Sequence, residues 1–209
     1  MRQQIKLLQN IVSRKGSSKV LTFSIPHVFK ALQLLYSDKF VSRSTFCKNL
    51  HLGEGAIKTL ILHLKDAKMV DTTKSGTYLT LKGKKFSENL SKVIKNECKL
   101  NKSKIVQGKY NHAIILKNYE YAIKTGIEQR DFAILYGSSG CITLLYKNSH
   151  FIFPGEDRDC LEDDPNTRKK LYDNLCPENG DVIIISSSDD SFVAEVSAKN
   201  SALWTLGTN

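Results

Sequence analysis

No stretch of this sequence approaches the ~18 uninterrupted apolar residues of a membrane-spanning helix. The amino-terminal MRQQIKLLQNIVSRKG lacks the apolar core and small-residue cleavage site of a secretory signal, so a cytoplasmic location is expected. Cysteine is sparse: Cys47, Cys98, Cys141, Cys160 and Cys176 are odd in number, far apart and never spaced as CxxC. That pattern argues against a disulfide framework and against a zinc site, and reduced thiols with no metal are expected. With only 4 Pro and 12 Gly among 209 residues, and 41% hydrophobic side chains, the composition is globular rather than fibrous or disordered. Catalytic patterns are missing as well. No Ser-His-Asp, Cys-His or paired-His arrangement is present, so an enzyme is not expected, and no cofactor is implied.

What is abundant is lysine. The formal net charge is +10, from 31 basic and 21 acidic residues. Residues 1 to 107 carry 21 basic and 6 acidic side chains, net +15, whereas residues 108 to 209 carry 10 and 15, net −5. A strongly positive half attracts polyanions, because neutralising phosphates releases condensed counterions; an acidic half is repelled by the same surface. Nucleic acid is therefore the expected partner of the first half.

Periodicity organises that half. In IPHVFKALQLLYS (25–37), Val28, Leu32 and Leu35 share one helical face, and Pro26 suits the first turn. Ser42 and Ser44 can cap a second helix through RSTFCKNL, with Phe46 and Leu50 four apart. After HLGEG, the segment AIKTLILHLKDAKM places Ile57, Leu60, Ile61, Leu64 and Ala67 on a core stripe, leaving Gly55, Lys58, Thr59 and Leu62 opposite. MVDTTKSGTYLTLK predicts a hairpin turning at Lys74-Ser75-Gly76, and GKKFSENLSKVIKNE a closing helix. His63, off the stripe and without a paired ligand, is expected at the surface; His27 is expected to pack or cap.

The turn HLGEGAIKTLILHLKDAKMV and the hairpin exit TYLTLKGKKF resemble the winged helix-turn-helix domain of transcriptional regulators. The whole chain, through KTGIEQRDFAILYGSSGCITLLYK and ENGDVIIISSSDDSFVAEVSAK, also resembles an uncharacterised archaeal family that joins such a domain to a C-terminal domain of unknown function. The first resemblance implies duplex DNA read through the major groove, which admits a helix about 10 to 12 Å wide. Gly55, Lys58 and Thr59 would lie at the base edges, with Glu54 either accepting from cytosine or capping. Arg43, Ser44, Thr45 and Lys48 would meet the backbone, and Lys74, Ser75, Thr77 and Tyr78 on the wing would reach phosphate or the minor groove.

The expected fold class is α+β, in four stretches. Residues 1–24 are an extension with a possible dimerisation helix, 25–97 the winged helix, 98–109 a linker, and 110–209 an α/β sandwich. For the last, strands at 112–117, 142–146, 150–153 and 181–186 and helices at 119–135, 166–175 and 192–206 predict a ferredoxin-like βαββαβ layer with an extra terminal helix. Gly137 to Gly140 reads as a tight turn, Ser186 to Ser191 as a helix cap, and EDRDCLEDDP as solvent-facing. Glu128, Arg130 and Asp131 form the one polar cluster that could clamp a carboxylate effector; an internal salt bridge is the competing reading. Ile5, Leu8, Ile11 and Val12 form an apolar stripe needing a partner, as do Phe192, Val196, Leu203 and Trp204 in the final helix. Either stripe could seat a second copy or pack within its own chain, the latter being the preferred reading for the final helix. The expectation as a whole is a homodimer that binds DNA and senses a small effector, a transcriptional regulator. The alternatives are a catalytic C-terminal domain, or a winged helix that binds protein, to which an exposed Leu62 would be suited.

Overall fold

The computed structural model describes residues 1–13 and 21–208, and residues 14–20 of the expected N-terminal extension lie outside them. The protein is of mixed α+β class and divides into two compact units, Met1–Leu90 and Ser91–Asn209.

The first unit runs α1 (Arg2–Ile11), α2 (Ile25–Ser37), α3 (Arg43–Leu50), α4 (Glu54–Asp66), β1 (Val70–Thr73), β2 (Gly76–Leu79) and α5 (Leu81–Ser91). Its core is the stripe of each helix: Val28, Leu32 and Leu35 from α2, Phe46 and Leu50 from α3, Ile57, Leu60 and Leu64 from α4. Ser42 caps α3 by accepting from the Thr45 N–H at 3.1 Å. His27 caps α2: its Nδ1 accepts from the Ser24 N–H at 3.3 Å and lies 2.8 Å from Ser24 Oγ. Burial first, then the charges of Lys30 and His51, lower the His27 pKa to about 4.

Two expectations fail here for the same reason. The stripe Ile5, Leu8 and Ile11 is buried within the chain, α1 packing on α2, so it does not wait for a second copy. His63 is buried rather than exposed, its Nδ1 2.6 Å from the Ile11 carbonyl and its ring edge-on to Phe23. The end of α1 supplies the partner that His63 lacks within its own helix.

The second unit continues with β3 (Ile94–Leu100), β4 (Tyr110–Leu116), a 3-10 turn (Glu120–Ala122), α6 (Ile127–Ile134), β5 (Gly140–Lys147), β6 (His150–Ile152), α7 (Pro165–Leu175), β7 (Asp181–Ser188) and α8 (Ser191–Thr208). Its sheet has the order β3-β4-β7-β5-β6 with every pairing antiparallel. A ferredoxin-like sheet would place the first strand of the βαββαβ series between the fourth and third. Here β7 sits between β4 and β5, and the expected topology is corrected accordingly. The helices also divide between the faces. Leu171 and Leu175 of α7 join Ala113, Ile115, Leu144, Ile183 and Ile185 in one core, whereas α6 and α8 pack together on β4, β5 and β7. Cover on both faces is why AIIL and VIII read as unbroken apolar runs.

Three boundaries move. Residues 94–100, expected as closing helix and linker, form edge strand β3, so the units part at Leu90 rather than near 100. The helix expected over 119–135 is broken before Gly126, whose φ of 81° departs from helical geometry. The final helix buries Val196 and Leu203 and stacks Trp204 on Phe132, so its apolar residues too are used within the chain.

Candidate nucleic-acid interface

With the boundary at residue 90, the first unit carries 16 basic and 5 acidic side chains, net +11. Three of its cations meet at a groove of about 480 Å³ between the start of α3, one face of α4 and the hairpin, whose lining includes Ser42, Arg43, Lys58, Lys74, Ser75 and Thr77. Each element places its cation for a local reason. The Ser42 cap ends the extended step and projects Arg43 from the first turn of α3. The α4 stripe that buries Ile57, Leu60 and Leu64 forces Lys58 outward. The turn between β1 and β2 carries Lys74 at its tip, closed by Gly76 at φ 132°. A Cβ at Gly76 would stand 2.8 Å from the Val41 carbonyl oxygen, too close for any other residue without movement. Arg43, Lys58 and Lys74 are exposed, and no ion pair among the described residues involves them. Three unpaired cations from three elements make a concave positive surface.

The remaining sequence candidates sort differently. Ser44, Lys48 and Gly55 are exposed on the flanking faces of α3 and α4 but do not line the groove. The Thr45 hydroxyl is 2.9 Å from Ser42 Oγ in the cap, and Thr59 donates its hydroxyl to the Gly55 carbonyl at 3.0 Å. Two wing assignments are corrected. Thr77 is 2% exposed and exchanges both backbone hydrogen bonds with Val41, each at 2.9 Å, so it forms the floor of the groove rather than a reaching side chain. Tyr78, on the opposite face of the strand, packs edge-on against Phe40 in a separate apolar cavity with Leu35 and Tyr36. Ser42, read from the sequence only as a cap, and Thr72 and Thr73, which sequence reasoning did not single out, line the groove as well. Leu62 is 57% exposed beside Lys58 on the outer face of α4.

In the second unit, Glu128, Arg130 and Asp131 are exposed, and no ion pair among the described residues joins them. Because α6 starts only at Ile127, Glu128 lies in its first turn, and the internal salt bridge does not form among the described residues. The turn at Gly137 to Gly140 is tight as expected, Ser139 donating its N–H to the Ser187 carbonyl at 2.8 Å. Asp190 caps α8 by accepting from the N–H groups of Phe192 and Val193 at 2.7 and 3.0 Å. In the acidic loop Asp164 caps α7, accepting from the Thr167 N–H at 3.1 Å, and Arg168 pairs with Asp159. Among the described residues no group of three or more His, Cys, Asp or Glu side chains is placed to hold a metal.

Comparison with known proteins agrees with the two-unit division. Residues 105–206, all in the second unit, match the family model described as "Domain of unknown function (DUF4443)". No curated protein matches the chain. The solved structure of "Hypothetical protein PH0730 from Pyrococcus horikoshii OT3" is similar over 90% of this chain and 95% of that one, with 27% identity and a TM-score of 0.71. The similarity therefore reaches beyond the matched domain into the lysine-rich first unit.

Proposed function

We propose that the first unit is a winged helix-turn-helix and binds double-stranded DNA, with α4 as the helix that enters the major groove and β1–β2 as the wing. The observation that carries this reading is the convergence of Arg43, Lys58 and Lys74, unpaired and exposed, on one groove. Surface lysines that serve only solubility have no reason to meet in a concavity. The stripe of exposed Gly55, Lys58 and Leu62 with half-buried Thr59 supports it, since it offers a donor for a base edge and an apolar contact for a thymine methyl. Arg43, Lys48 and Lys74 position the duplex through phosphate. The reading is of a binding protein and regulator rather than an enzyme, in which the second unit controls the first.

The test is fluorescence anisotropy of the full chain with labelled duplex DNA over a range of salt. Affinity is expected to fall steeply with salt, and each of Arg43→Ala, Lys58→Ala and Lys74→Ala should make the log–log slope shallower by about 0.9. Lys58→Ala should in addition narrow the gap between preferred and random sequence. Absence of binding at low salt would overturn the reading, and with Leu62 exposed would favour a protein partner for α4.

A further inference from the structure

The lysines of residues 91–109 belong to the second unit, not to the proposed DNA-binding one, and three of them surround a cavity there. It measures about 300 Å³ and lies at the sheet edge, where the end of β3, the start of β4 and the first turn of α8 meet. Lys99, Lys102, Lys109, Asn111, His112 and Ser191 are among its lining residues. The three lysines are exposed, and no ion pair among the described residues involves them; Lys109 lies over the Tyr110 ring at 5.3 Å.

The wall of the cavity holds an unfinished hydrogen-bond network. His112 is 5% exposed, and its Nε2 lies 3.0 Å from Glu97 Oε2. Glu97 also receives both of its oxygens' contacts from Lys199, a lysine with no exposure, which approaches Glu195 at 3.4 Å as well. Burial pushes the Glu97 carboxyl up, but the Lys199 charge and the hydrogen bonds from His112 and Lys199 outweigh it and hold the pKa at about 2. Glu97 is therefore an acceptor and Nε2 of His112 its donor, which leaves Nδ1 as the ring nitrogen still to be satisfied. That Nδ1 is buried and has no hydrogen-bond partner. A buried polar atom without a partner is costly, and a strand position facing α8 would be served as well by an apolar side chain. The nearby acids are already engaged: Glu97 by Lys199 and His112, and Asp190 by the N–H groups of α8.

We propose that this cavity binds a small hydroxylated anion of the sugar-phosphate class. Lys99, Lys102 and Lys109 take the anionic group, and His112 Nδ1 hydrogen-bonds a ligand hydroxyl. The volume is that of a small ligand site rather than a track for a polymer. Binding here does not depend on whether the first unit binds DNA.

The experiment follows the His112 ring signals of the full chain by NMR during titration with ribose 5-phosphate, inorganic phosphate, ribose and sodium chloride at matched ionic strength. Ribose 5-phosphate is expected to give a saturable shift at lower concentration than phosphate, with none from ribose or chloride. The double variant K99E/K109E should weaken ribose 5-phosphate at least tenfold while leaving the unfolding midpoint unchanged, because both side chains are exposed. His112→Phe should bring its affinity, read by calorimetry, down to that of phosphate. No saturable shift with either phosphate, or a K99E/K109E variant that binds as the parent does, would overturn the site. Equal affinity for ribose 5-phosphate and phosphate would overturn the role of Nδ1. A shift produced by duplex DNA and not by ribose 5-phosphate would assign the surface to DNA and overturn the proposal.

Discussion

Gly55 gives the sharpest test of the α4 surface, because stability and binding should move in opposite directions. It is the second residue of α4, it is exposed, and a Cβ built there would meet nothing within 4 Å. Nothing in the fold of the first unit requires a glycine at that point, and a glycine in a helix costs backbone entropy. Gly55→Ala should therefore stabilise the first unit by about 0.5 kcal/mol, the low end of the range because the residue lies near the helix terminus. In a domain of this size that raises the melting midpoint by about 2–4 °C. If α4 lies against a duplex at this point, the added methyl occupies the space of close approach. Overpacking of that kind costs about 1–2 kcal/mol, a five- to thirtyfold loss of affinity. Calorimetric melting and anisotropy on one preparation read both quantities. A stabilised variant with unchanged DNA affinity would refute the placement of α4 at the groove.

Other outcomes are expected from the same structure. The His27 pKa lies near 4 in the folded state against an ordinary value of 6.5, so the unfolded chain binds the extra proton first. Its contribution to stability is complete above pH 6.5 and is lost as pH falls toward 4. His27→Gln, which keeps an acceptor for the Ser24 N–H, should flatten the dependence of stability on pH in that window; an unchanged slope would refute the assignment. Lys199→Met leaves Glu97 and Glu195 without their cation and should cost the second unit about 3–5 kcal/mol in denaturant unfolding, the penalty of a broken buried pair. A loss below about 1 kcal/mol would mean that solvent at the partly exposed Glu97 offsets the missing cation. A fragment ending at residue 92 should stay soluble, whereas one ending at 107 carries β3 without its partner β4 and should aggregate, as sedimentation would show.

Legibility in the sequence followed periodicity. The stripes of α2, α3 and α4 and the Lys74-Ser75-Gly76 turn are local patterns, and they place Arg43, Lys58 and Lys74 on the surface without knowledge of the tertiary fold. The finer assignment of the β1–β2 hairpin needed a non-local fact, the pairing of Thr77 with Val41. Strand β3 was hidden because IKNECKL buries only Ile94 and Leu100 and presents polar side chains between them, which reads as a linker. The order of β7 between β4 and β5 has no local signature at all. His63 and His112 were missed alike, because each is bonded to a residue far along the chain, Ile11 and Glu97 respectively. For His112 there was one hint, a titratable side chain opening the apolar run HAIILK.

The central place of β7 bears on how the second unit comes into being. β4 and β5 do not pair with each other, and each is joined to the sheet's other half only through β7. Until residues 181–188 leave the ribosome, the nascent chain holds two separate strand pairs, β3–β4 and β5–β6, whose inner edges lie open. The first unit, made of nearer neighbours in sequence, can close while those edges still wait. Vectorial synthesis thus gives the protein a built-in order of assembly, and the last strand to emerge acts as the keystone.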